Sequence, residues 1–223
     1  MNVSILRFLG TNCEFDTQYA FEKLNHSTTL VWHQDEKLPE DTDLVVIAGG
    51  FSYGDYLRSG AIARFSNIMK DVQRFANDGG KVLGICNGFQ ILTEAKMLDG
   101  ALKRNNNLHF ISKHQNIKVI NNDNEFLSKC DKNEVLNIPI AHADGNYYIE
   151  EDGLKELEDN NQILLRYCDS NGDLEVVNGS VTSIAGVCNK EKNVFGLMPH
   201  PERALEMILG SEDGLKMLQG FVE

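Results

Sequence analysis

Lys81-Val82-Leu83-Gly84-Ile85-Cys86-Asn87-Gly88-Phe89-Gln90 reads as a short apolar strand, Lys81–Ile85, that breaks at a cysteine and restarts as a helix over Gly88–Ala95. Glycines two residues to either side of Cys86 leave room for a sharp strand-to-helix turn. A side chain on such a turn projects above the carboxyl edge of a sheet, where open α/β sheets bind ligands. Upstream, Leu44–Ala48 is almost wholly apolar, as expected of a strand covered on both faces. Val3–Phe8 and Thr28–Trp32 read as two more strands. Thr17–Leu24 reads as a helix with Asp16 as its N-cap. Arg64–Asp78 reads as a second helix, with Phe65, Ile68, Met69, Val72 and Phe75 on helical spacing. This alternation predicts an α/β fold, a doubly wound, mostly parallel sheet flanked by helices.

Residues 105–188 read differently. Ile111–Ile120, Val135–Ile140, Ile163–Tyr167 and Val181–Cys188 are β-like runs between polar turns, a β-rich insertion that is partly antiparallel. Val194–Met198 reads as a further buried strand. A helix near Ala204–Leu209 and a terminal helix over Gly214–Val222 complete the chain. No repeat or linker divides it, so a single domain over 1–223 is expected.

Composition narrows the function. The 223 residues carry 21 Lys and Arg against 33 Asp and Glu, a net charge of −12. That excludes a general nucleic-acid binder, which needs a basic stripe, and docking on anionic lipid. No apolar run reaches the ~18 residues of a membrane span. The first residues lack the basic and apolar segments of a signal peptide, so a cytoplasmic location is expected. The five cysteines (Cys13, Cys86, Cys130, Cys168, Cys188) are widely spaced and never C-x-x-C. They form neither a disulfide framework nor a metal site, and reduced thiols are expected.

Cys86 can be a buried structural thiol or a nucleophile. The helix beyond it favours a thiolate through its dipole and free N–H groups, and Asn87 N–H can face an oxyanion formed beside the sulfur. A thiol nucleophile needs a base, and the base an orienter. His200-Pro201-Glu202 supplies both. The residue before proline is pushed into extended geometry, where residues two apart share a side, so Glu202 can hold the His200 tautomer. Alone, His200 reads equally as a surface residue leading a helix. Gly49-Gly50-Phe51-Ser52-Tyr53-Gly54-Asp55 follows the Leu44–Ala48 strand. Its glycines make either a tight turn or a loop that brings backbone N–H groups, Gly50 first, onto a substrate. No phosphate-loop motif accompanies it. His142 either lines the pocket or packs in a loop. His26, His33, His109, His114 and Cys13 read as solvated or structural. Asp55 and Arg58 read either as ordering the glycine loop or meeting a partner, or as solvated.

With these residues together, the sequence resembles the class I, triad-type glutamine amidotransferases, which have a flavodoxin-like fold. Ala48–Arg58, Gly84–Gln90, Pro139–His142 and Gly196–Arg203 resemble, more narrowly, the family of glutaminase subunits of phosphoribosylformylglycinamidine synthases of purine biosynthesis. The likeness runs from the first strand to the last helix. Phe8-Leu9-Gly10-Thr11-Asn12-Cys13 departs from the family's usual proline after the Phe, and Ala143-Asp144-Gly145 from its usual Glu-Gly. The resemblance implies Cys86, His200 and Glu202 as the catalytic triad and the N–H groups of Gly50 and Asn87 as the oxyanion hole. It implies Gly49, Gly50, Phe51, Gln90 and His142 as glutamine contacts. It also implies a large synthetase subunit and a small accessory subunit as partners, with ATP and Mg used by the synthetase and no cofactor or metal in this chain. The alternatives are a stand-alone cysteine hydrolase or chaperone-like protein of a related doubly wound fold, and a non-catalytic subunit.

Overall fold

The computed structural model describes residues 1–221. In chain order the elements are β1 (Asn2–Arg7), α1 (Glu14–Lys23), β2 (Ser27–Trp32), β3 (Leu44–Ile47), α2 (Asn67–Asn77), β4 (Lys81–Ile85) and α3 (Asn87–Glu94). Then follow β5 (Ala101–Lys103), β6 (Ile111–Val119), β7 (Val135–His142), β8 (Asn146–Tyr148), α4 (Glu151–Asp159), β9 (Ile163–Tyr167), β10 (Ile184–Cys188), β11 (Val194–Leu197) and α5 (Asp213–Gln219).

Nine strands form one sheet in the order β2-β1-β3-β4-β11-β10-β9-β6-β7. From β2 to β11 the pairings are parallel; from β11 to β7 they are antiparallel. The β-rich insertion therefore continues the main sheet. β5 and β8 make a separate two-stranded ribbon. β3, buried throughout, and β4, buried from Val82 to Ile85, lie between parallel neighbours, where both faces are covered. The core runs through Ile5, Leu6, Leu44–Ile47, Leu83, Ile85, Phe89, Ile117, Leu165, Val187, Phe195 and Leu197. None of the helices among the described residues is long and apolar enough to cross a membrane.

The structure corrects several expectations. α1 begins at Glu14 with Cys13 at the cap position and no side-chain cap; Asp16 lies in the first turn and pairs with Arg203. The helix expected from Arg64 breaks at Ser66, whose extended backbone separates a 3-10 turn, Ala63–Phe65, from α2. Phe65 thus leaves the apolar face and is exposed. Residues 204–209 form no α-helix. A 3-10 turn, Pro201–Arg203, precedes them and another, Met207–Leu209, ends them; Ala204 and Leu205 are buried but Met207, Ile208 and Leu209 are exposed, so no continuous buried face rewards a helix. α5 ends at Gln219, and Val222 lies outside the described residues. α4 carries too sparse an apolar pattern to read, since only Leu157 is buried in it.

Candidate active site

Cys86 stands between β4 and α3 with φ 51° and ψ −103°, a left-handed backbone that an L-residue adopts only when its surroundings enforce it. Its N–H donates to Leu197 C=O of β11 at 2.7 Å, and its C=O accepts from Gln90 N–H at 3.2 Å. Gly88 lets the helix close on the sheet: a Cβ there would sit 1.9 Å from the Ile47 carbonyl oxygen. The turn is therefore held from β3, β11 and α3 at once.

His200 follows β11, and its N–H donates to Pro139 C=O of β7 at 2.8 Å. Its Nδ1 lies 2.6 Å from Glu202 Oε1, with each residue about 2% exposed. The pairing was expected from extended chain. His200 is extended (φ −108°, ψ 82°), but Pro201–Arg203 coils into a 3-10 turn, and this turn brings the carboxylate back to the ring. His200 Nε2 and Glu202 Oε2 have no hydrogen-bond partner among the described residues. Burial disfavours charge on the imidazole, yet the Glu202 carboxylate and the neighbouring Cys86 sulfur outweigh it and hold the His200 pKa well above its ordinary value.

Gly49 explains how these groups meet. A Cβ on Gly49 would lie 3.0 Å from His200 Cε1, 3.1 Å from Cys13 Sγ and 3.5 Å from Cys86 Cβ. Its missing side chain is the space into which the three converge. Gly50 (φ 142°) bridges Thr11. The bridge is closed by Asn12 N–H on Gly49 C=O and Phe51 N–H on Gly10 C=O, so it does not engage Gly50 N–H. Asn87 N–H heads the first turn of α3, where helix N–H groups lack intrahelical acceptors. The Asn87 side chain ties the turn to the glycine loop, accepting from Ser52 N–H at 3.1 Å and donating to Gln90 Oε1 at 2.8 Å.

Two hollows adjoin here and share Gly50, Phe51, Cys86 and Ala141. One, of about 100 Å³, adds Asn12, Cys13, Phe110, His200 and Arg203. The other, of about 20 Å³, adds Asp55, Ser59, Gln90, His142 and Asp144 among its walls. Phe51 is half exposed and faces Phe110, their rings 6.4 Å apart. Gln90, expected at the substrate, spends its amide within the chain, its Nε2 donating to Asp144 C=O at 2.7 Å. Burial holds His142 neutral, its pKa pushed down to about 4.

The structure adds Asn12, Cys13, Phe110, Ala141 and Arg203 to the wall. Cys13 read as structural, and the signal that could have found it was its position after β1, at the same sheet edge as Cys86. Arg203 Nη2 donates to Cys13 Sγ at 3.2 Å while its Nε pairs with Asp16. Burial pushes the Cys13 thiol pKa up. Donor atoms of Cys13, His200 and Glu202 lie within 4.8 Å of one another. The Arg203 guanidinium donates to that sulfur and His200 Nδ1 bonds Glu202 Oε1, while Nε2 and Oε2 stay without partners among the described residues.

Residues 1–214 match the family of CobB/CobQ-like glutamine amidotransferase domains. The chain belongs to this glutamine amidotransferase family. Among its relatives are proteins named phosphoribosylformylglycinamidine synthase subunit PurQ. The one from Sulfurimonas denitrificans is 67% identical over 100% of this chain and 99% of its own. The one from Campylobacter jejuni is 57% identical over 100% and 96%. In the structure of PurLQS from Thermotoga maritima, one chain is 41% identical to the amidotransferase, with a TM-score of 0.89 over 99% of this chain and 97% of that one. A glutamine amidotransferase from the same organism, 17% identical with a TM-score of 0.64, shares the fold.

Proposed function

We propose that this amidotransferase is the glutaminase subunit of a phosphoribosylformylglycinamidine synthase and hydrolyses L-glutamine through a thioester on Cys86. Near-full-length identity to proteins of that name supports the assignment. One observation carries the mechanism: a thiol on a left-handed strand-to-helix turn shares a pocket with a buried imidazole that a carboxylate grips at its far nitrogen.

In this mechanism His200 Nε2 takes the Cys86 proton as the sulfur attacks the side-chain amide carbon of glutamine. The N–H groups of Gly50 and Asn87 hold the tetrahedral oxyanion, and the N-terminal dipole of α3 favours the same charge. Collapse breaks the C–N bond, and His200 returns the proton to departing ammonia. Glu202 keeps Nδ1 protonated and stabilises the imidazolium in between. Water, deprotonated by His200, then cleaves the thioester to give glutamate and the free thiol. Gly50, Phe51 and the segment 141–144 flank the substrate.

The ammonia passes to a large synthetase subunit, which converts formylglycinamide ribonucleotide to the amidine using ATP and Mg; a small accessory subunit completes the cytoplasmic assembly. This reading replaces that of a hydrolase acting alone. An electrophilic glutamine analogue should alkylate Cys86, and glutamine should protect it; labelling of another residue refutes the mechanism. The synthetase subunit should accelerate glutamine hydrolysis, since uncoupled turnover wastes glutamine. Equal rates with and without it refute the division of labour.

A further inference from the structure

Three residues outside the hollows meet at one oxygen. Tyr53 Oη lies 2.8 Å from His33 Nδ1 and 3.0 Å from Ser66 Oγ. They come from separate places: Tyr53 from the glycine loop after β3, His33 from the end of β2 and Ser66 from the start of α2. None of the three lines either hollow beside Cys86, so they act on the chemistry only through the loop they hold.

Each departs from what packing alone would select. His33 is 5% exposed, stands edge-on to the Tyr53 ring at 5.4 Å and leaves Nε2 without a partner among the described residues. A buried polar atom left unmade is costly, and an apolar side chain would fill the space without that cost. Ser66 occupies the N-cap position of α2, where a serine hydroxyl ordinarily accepts from N–H groups of the first turn. Here it makes no cap bond and turns to Tyr53 instead. Tyr53 itself has φ 53°, and Asp55 and Leu57 follow at 53° and 71°. L-residues stay in this left-handed region only where their surroundings hold them. Apolar contacts set how deep a ring sits; hydrogen bonds, being directional, also set which way it is turned.

The backbone just upstream of this anchor is the part the mechanism uses. Phe51 N–H donates to Gly10 C=O at 2.9 Å and Tyr53 N–H to Leu9 C=O. Between them Ser52 N–H donates to Asn87 Oδ1 at 3.1 Å, on the residue that follows Cys86. Gly50, at φ 142°, has no Cβ to restrict its own rotation, so the direction of its N–H follows from where residues 51–53 are tied.

We propose that Tyr53, anchored by His33 and Ser66, is a positioning residue that holds the glycine loop with Gly50 N–H turned toward the oxyanion. This deepens the glutaminase reading and rests on it.

Tyr53→Phe deletes one oxygen and keeps the ring. In the assembled synthase it should lower kcat for glutamine hydrolysis by roughly 10- to 100-fold, the scale of misplacing one oxyanion donor, with KM within about twofold. Two alkylation rates at Cys86 separate positioning from general loosening of the structure. A chloroketone analogue of glutamine reacts through a tetrahedral adduct whose oxygen needs the oxyanion donors. Iodoacetamide loses iodide at a saturated carbon and does not need them. The chloroketone rate should fall with kcat, while the iodoacetamide rate holds within about twofold. His33→Leu should reproduce this pattern, and His33→Asn, which returns a polar group to the place of Nδ1, should recover most of the loss. An unchanged kcat in both Tyr53→Phe and His33→Leu, or an equal fall in both alkylation rates, overturns the assignment. If instead the wild type hydrolyses no glutamine and Cys86 resists the chloroketone, it is the glutaminase reading that fails.

Discussion

The amino and carboxyl edges of the sheet both carry hollows, and the largest described lies away from Cys86. At the amino edge, about 560 Å³ opens between the end of α2, the turn after α3 and the β10–β11 hairpin. At the carboxyl edge the hollows around Cys86 hold about 100 and 20 Å³. The wall of the large one carries Lys96, Asp99 and Lys190, all exposed, and none of the buried unpartnered polar atoms among the described residues. The small ones contain His142 and His200, both with an unpartnered ring nitrogen. The difference lies in what ends there. Parallel strands deliver loops and the N-terminus of α3 to the carboxyl edge, so backbone donors and titratable side chains converge. The amino edge receives helix ends whose carbonyls are capped by side chains, Asn193 Nδ2 donating to Ala76 C=O at 2.8 Å and Gln73 Nε2 to Ala95 C=O at 3.2 Å. Volume alone does not mark a site.

Substitutions can break this contrast. Cys86→Ser, at the heart of the carboxyl edge, should cut glutamate release by the assembled enzyme by about 10⁴-fold or more, the scale of removing the nucleophile from a coupled triad. Retained turnover would move the chemistry elsewhere. Glu202→Gln should lower kcat by about 10²- to 10⁴-fold, through loss of the tautomer and of the imidazolium's counter-charge.

The same Glu202 variant also tests the electrostatics. The folded pKa of His200 is raised, so its protonation contributes stability that is complete below the ordinary histidine value of about 6.5 and is lost as pH rises through the raised value. The melting-temperature gap between wild type and Glu202→Gln should therefore be widest in acid and narrow with rising pH. A gap that grows with pH contradicts that assignment. Cys13→Ser should lower turnover by no more than about fivefold, because a thiol whose pKa burial raises is a poor nucleophile; the glutamine analogue should still label Cys86. Lys190→Ala, on the rim of the large hollow, should leave turnover unchanged, and any loss there would show that the amino edge takes part.

The parallel half was the legible half. β4 was read with its observed ends and β3 to within one residue, and the Cys86 turn was placed at the β4–α3 junction, because apolar runs bounded by glycines have one reading in an alternating pattern. The errors fall where context overrode local pattern. The 204–209 segment has helical composition, but it buries only Ala204 and Leu205 and leaves Met207–Leu209 exposed. α4 has helical geometry but little apolar signal. The 64–66 region looked periodic through Phe65, which the Ser66 break turns outward. In the site, Cys86, His200 and Glu202 were found from residue type and spacing. Cys13, Asn12 and Arg203 were not, because their place depends on α1 and the 3-10 turn after β11 packing together across 187 residues, as the Arg203–Asp16 bond records.

The chain's own order of residues determined the class of fold, the turn that lifts a sulfur to the sheet edge and the identity of the imidazole and carboxylate, since periodicity, glycine placement and the His-Pro-Glu string are local properties. Only the tertiary structure decided that β11 inserts beside β4, bringing His200 to Cys86 across more than a hundred residues. It alone also set Tyr53 between His33 and Ser66, because such distances follow from strand order and packing, which no local interaction specifies.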